Sequence, residues 1–340
     1  MTFHSPTKPL VLYLAISCII LSFTSFKPKT EPDVYVVGSE DRSAVYWKNG
    51  IKTILATGPG DAIASNVYVD GKDVYITGYT RDTTGYGTAK YWKNGKEVVL
   101  SDGQTMAMAC ALFVSGKDVY VVGFEWNGTN NNRVAKYWKN GKSIDLTNSP
   151  EDAIAYCIYV EGKDVYAGGF EENTYKENTP VTIGKYWKNG RTTSISTNDT
   201  CTSMIMDIYV SHGDIYTTGY AAEGKRQVAK YWKNGKAVNL TDGTYDATGT
   251  SILVHNKDVY VCGYENGIAK YWKNGKPVTI SDAKPASSAS SLFIEGEDVY
   301  IAGVEYTGKY AVAKYWKNGV ETQLTDGKSD ITIYATLIVK

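Results

Sequence analysis

The chain has 340 residues, among them 36 basic and 36 acidic side chains, 28 Tyr, 8 Trp and 3 His. A formal charge of zero argues against nucleic acid or an acidic membrane as the main partner, and so few His exclude most imidazole-based chemistry. The length has room for about two domains of roughly 150 residues, although one all-β domain often runs longer, and a chain this long buries enough surface to fold without disulfides or metals.

Residues 9–23, PLVLYLAISCIILSF, are apolar, and polar TSFKPKTEP follows. Fifteen residues are short for a membrane span, which needs about 20, and suit the core of a secretory signal over 1–25, with 26–32 as linker. Two other readings stand beside it. Ala15-Ile16-Ser17-Cys18 is similar to a lipobox, which makes Cys18 a candidate lipid anchor, although Ile19-Ile20-Leu21 continue the apolar run past it. An uncleaved anchor is the third. All three export the protein to the periplasm, the cell surface or the medium, and allow membrane contact only through this N-terminal segment.

From residue 33 the chain repeats. YWKNG occurs at Tyr46, Tyr91, Tyr137, Tyr186, Tyr231, Tyr271 and Tyr315, and Asp-Val-Tyr or Asp-Ile-Tyr precedes each in register. One unit reads as four short strands, a to d; in the second they are 65–69, 73–79, 88–93 and 96–100. Asn-Gly between c and d signals a tight hairpin, since a type I′ turn needs positive φ at both central residues. Four antiparallel strands every 40–49 residues predict a β-propeller blade. The chain enters at a strand b (Asp33) and finishes at TIYATLIVK (332–340), which aligns with a strand a. The expectation is a single all-β domain over 33–340, a seven-bladed propeller whose C-terminal strand completes the N-terminal blade. The GKDVYV and AKYWKNGK units resemble the tandem repeats of secreted bacterial β-propeller proteins, a family mostly without assigned function. The resemblance implies architecture and carries over no catalytic residue.

The a–b and c–d turns, on one face, are nearly uniform; the b–c and d–a loops, on the other, vary from Asn266-Gly267 to the long 171–182. Variable loops on a rigid scaffold are where an asymmetric site can form. Trp126 is the one Trp outside the repeat and stands beside Asn127, Asn130, Asn131 and Asn132, a set suited to stacking on a sugar or docking a peptide. Tyr86, Tyr175, Tyr245, Tyr306 and Tyr310 are also off-repeat on that side. Glu40, Glu125, Glu171, Glu265 and Glu305 follow strand b; Glu125 and Glu171 are candidate rim ligands, weighed against diagonal cross-strand pairing with the Lys that precedes Tyr-Trp. The seven repeat Trp are expected in the core. The Asp opening strand b and the Lys of Lys-Asn-Gly are expected to accept turn amides or to pair with one another.

Cys110, Cys157, Cys201 and Cys262 occupy non-equivalent positions and read as free thiols, with a Cys110–Cys157 bridge as the alternative. No Cys/His metal spacing, catalytic triad or cofactor motif is present. Carboxylate chemistry is left to loop residues such as Asp82, Glu172, Glu177, Asp246 and Asp282. The leading expectation is a monomeric, non-enzymatic module that binds protein or glycan through the variable face. A structural or surface-display scaffold is the runner-up, and a carbohydrate-active enzyme the third reading.

Overall fold

A computed structural model describes residues 32–128, 132–173, 181–195, 201–281, 286–308, 310–328 and 331–339. Seven four-stranded antiparallel sheets form the blades of a propeller, each ordered a-b-c-d. In blade 2 the strands are Ala62–Asp70, Asp73–Arg81, Gly87–Lys93 and Lys96–Val99. The ring closes as the sequence predicts: strand a of blade 1 is Ile331–Val339, paired antiparallel with Asp33–Glu40 from Asp33↔Val339 to Glu40↔Ile331.

Each Asn-Gly turn between strands c and d has Asn at φ 49–51° and Gly at φ 78–84°, the left-handed pair that a type I′ hairpin requires. The repeat Trp sit on strand c and pack against the preceding blade. Trp138 of blade 3 meets Tyr75, Ala89, Tyr91 and Leu100 of blade 2, and Trp187 of blade 4 meets Tyr120, Val122 and Ala135 of blade 3. Trp47 joins the last blade to the first through Ala313 and Leu324. The core is thus a series of interblade layers, and all seven repeat Trp are buried.

The strands differ from expectation at one end. Strand a of blade 2 begins at Ala62, three residues before the expected start. A β-bulge at Ser65 shifts the register between Ala64 and Asn66, which breaks the alternation of inward and outward side chains and hides the outer half of the strand from a two-residue period.

Candidate functional site

The uniform face is built by one device used seven times. The repeat Asp accepts a hydrogen bond from the Asn side chain at 2.7–2.9 Å. It also pairs with the repeat Lys at 2.6–3.5 Å. The Asn carboxamide oxygen accepts the backbone N–H of the residue after that Asp at 2.8–2.9 Å. The Lys ammonium lies over the Tyr ring of strand b, 4.9–5.3 Å from its centre. The turn amide that the Asp accepts is thus the Asn side chain's, and the expected Asp–Lys pair is formed beside it. In blades 1 to 6 the Lys, and with it the Asn, holds the Asp carboxyl below its ordinary range. The Asp, Asn and Lys of the motif are partnered within their own blade.

The strands a wall a central cavity of about 550 Å³, a volume suited to a small ligand. Every strand a bulges at the same place, where the register skips Ser65, Cys110, Tyr156, Met206, Thr250, Ser290 and Tyr334, and all seven border the cavity. In blades 2 to 7 the glycine opposite the bulge has no room for a side chain. A Cβ on Gly78, Gly123, Gly169 or Gly219 would lie 1.9 Å from a carbonyl oxygen of strand a, and one on Gly263 2.0 Å away. The wall is asymmetric in chemistry: Ser65, Asn66, Thr250, Ser251, Ser290 and Ser291 face Met108, Cys110, Tyr156 and Met206. Asp207 is the one carboxyl among the described lining residues. Its oxygens accept hydrogen bonds from the Ile208 N–H at 2.8 Å, the Ser251 hydroxyl at 2.8 Å and the Ile252 N–H at 2.9 Å, so it ties blade 5 to blade 6. Burial outweighs these donors and pushes its pKa up to about 6.

On the variable face, strand b of blade 3 runs on through Trp126, so this residue ends a strand rather than standing in a loop. Its N–H donates to the Met106 carbonyl at 2.8 Å, and its side chain is 37% exposed. Tyr306 occupies the matching place in blade 7, its N–H on Ala286 O at 2.8 Å, and is exposed. Tyr86 is 51% exposed, on a loop in which the Asp82 carboxylate accepts the N–H groups of Thr84 at 2.9 Å and Tyr86 at 3.0 Å. Tyr245 borders a smaller pocket with Thr244 and Asn266. No described cavity joins Trp126 to Tyr86. Asn127 donates its N–H to Asn132 O at 2.7 Å. Asn130, Asn131, Tyr175, Glu177, Asp282 and Cys18 lie outside the described residues.

Glu125 pairs with Lys136 at 2.6 Å, Glu171 with Lys185 and Glu265 with Lys270. The last pair has the expected register, Gly263↔Lys270 and Glu265↔Ile268. Blade 1 has Val45 where the other strands c carry the Lys before Tyr-Trp, and Lys52 of strand d reaches Glu40 at 2.5 Å instead. Of the candidate carboxylates, Asp246 pairs with Arg226 at 3.0 Å, and Glu172, on strand b of blade 4 rather than in a loop, lies 3.9 Å from Arg133. Cys110 and Cys157 are free thiols, so the alternative bridge is not formed.

Sequence reasoning missed a second rim feature. Arg42, Asp61, Asp41 and Tyr334 border a pocket of about 520 Å³ between blades 1 and 2. Arg42 donates to Asp61 at 3.0 Å, and Arg81 lies 3.5 Å from the same carboxylate. Arg133–Asp152 at 2.6 Å and Arg226–Asp246 repeat this link across blades 3–4 and 5–6. The signal lay in the Asp that precedes strand a in alternate blades.

No family model and no curated protein matches the chain. Solved structures match its fold. The β-propeller domain of the Trilobed protease from Pyrococcus furiosus, described as having an open velcro topology, has a TM-score of 0.52 at 12% identity, covering 89% of this chain and 94% of that one. Pyrococcus horikoshii acylaminoacyl peptidase gives 0.51 at 13%, covering 88% of this chain and 51% of that one. A prolyl endopeptidase gives 0.50 at 12%, covering 91% and 50%. The chain spans about half the length of these two peptidases. At such identities the likeness is one of fold, a seven-bladed β-propeller.

Proposed function

We propose that the protein is an exported, monomeric binding module that takes a protein or glycan at the variable face, with the central cavity opening beneath it. One observation carries this. The exposed large aromatic side chains among the described residues are Tyr86, Trp126, Tyr245, Tyr306 and Tyr334. The first four stand on the variable rim, and Tyr334 borders both the rim pocket and the cavity. Exposed aliphatics such as Ile144, Val238 and Val278 lie instead on outer strands d. Aromatic rings offer a large stacking surface with little rotamer entropy to lose, and here the backbone beneath three of them is fixed by hydrogen bonds. The test is to screen the full chain on a glycan array and by pull-down, then to repeat with Trp126→Ala. Retention should fall at least tenfold with the melting temperature unchanged. A variant that melts early and retains its ligand would deny Trp126 the role.

The enzymatic reading gains one observation, a cavity carboxyl with a raised pKa. Glycoside hydrolysis uses a pair of carboxyls about 5–10 Å apart. Asp207 has none beside it among the described lining residues, and its own oxygens are engaged by the blade 5–6 link.

A further inference from the structure

The zero net charge conceals a division between the faces. In blades 2 to 6 the a–b turns carry Lys72, Lys117, Lys163 and Lys257, and the residue after each Asn-Gly is Lys96, Lys142, Arg191, Lys236 or Lys276. All nine are exposed and lie outside the ion pairs among the described residues. The seven clasp Lys are already matched by the seven clasp Asp. Against this arc stand exposed Asp70 and Glu161, while Glu97 is held by Lys90 at 3.0 Å. The acidic turn Glu295-Gly296-Glu297 lies in blade 7, outside the arc.

Blades 7 and 1 break the pattern in one further way. Where the other blades place a cation after Asn-Gly, these neighbours place Val320, 71% exposed, and Ile51, 74% exposed. A turn tip is a costly place to leave β-branched aliphatics in water, and nothing in the blade needs them there. The chain also enters the propeller on this face and this blade. Asp33 is held by Lys48 and Asn49, directly before Ile51, and the apolar run 9–23 lies nine residues upstream of Asp33.

We propose that the uniform face docks on an anionic lipid surface, with the basic arc of blades 2–6 over the headgroups and Ile51 and Val320 entering the interface. Cations close to an anionic membrane act additively, each strengthening binding about fivefold, and the effect fades within a Debye length. A pair of inserted aliphatics adds a term that salt leaves intact. This orientation leaves the variable face pointing away from the membrane.

The test uses the full chain with phosphatidylcholine vesicles, alone or with about a third phosphatidylglycerol. Any contribution of the N-terminal apolar segment is common to both, so the ratio of the two affinities reads the face. The anionic vesicles should bind at least tenfold tighter in low salt. The preference should collapse in about 0.5 M salt and in Lys72→Glu/Lys117→Glu/Lys163→Glu/Lys257→Glu, while Ile51→Asp/Val320→Asp should weaken binding in high salt too. Equal binding to both vesicles, a preference that survives charge reversal or salt, or capture by heparin or DNA without any vesicle preference would each overturn the proposal. The salt series needs no substitution and decides the matter even if a variant fails to fold.

Discussion

Residue types in this chain are dictated by contacts that recur once per blade. Asn of the Asn-Gly turn holds a left-handed φ, accepts an amide across the hairpin and donates to Asp, and no other side chain does all three. The strand-b glycine is required for a different reason, the close approach of a carbonyl at the bulge. Gly263→Ala is therefore expected to destabilise by more than about 3 kcal/mol, the scale of severe core overpacking, because its Cβ would lie 2.0 Å from Thr248 O. Gly275→Ala, in a turn with open space around it, is expected to cost about 1 kcal/mol through its φ alone. Chemical denaturation of the two variants checks this; equal losses would remove the bulge from the account.

Strands a carry what makes the blades different. Their inner residues at the bulge are Ser, Cys, Tyr, Met, Thr, Ser and Tyr around the ring, whereas the flanking strands b and c hardly vary. The hairpin turns, the blade count and the Glu–Lys pairs were legible in the sequence because each follows from local spacing. The cavity wall was not, because a bulge inverts the alternation on which such reading depends. Asp207 stayed hidden for the same reason, and the Arg42–Asp61 link because it joins different blades. Asp207 also sets a pH dependence. Its folded pKa is raised, so its ionisation opposes folding and stability falls as pH climbs from about 4 to above 6; Cys157 and Cys262, the nearby acids, are kept protonated by burial. The clasp Asp have depressed pKa values, and their contribution is lost as pH falls below about 4. The melting temperature should peak at about pH 4 and decline toward neutral pH. Asp207→Asn should flatten the neutral side of that peak and leave the acid side; an unchanged neutral limb would assign it to another group.

The whole molecule is a ring whose last strand is its lock. Deleting 331–340 exposes the b strand of blade 1 as an unpaired edge and should lower the melting temperature and promote association, as calorimetry and light scattering would show. Melting like the full chain would contradict the closure. Closure also fixes two opposed faces with different surfaces: aromatic and variable on one, basic with two exposed aliphatics on the other. The most direct measurement of that division titrates a ligand captured by the full chain against two variants. Tyr86→Ala/Trp126→Ala/Tyr306→Ala is expected to lose it by at least tenfold, and Lys72→Glu/Lys117→Glu/Lys163→Glu/Lys257→Glu to keep it. Retention by the first variant with loss by the second would show that the uniform face, and not the aromatic one, holds the ligand.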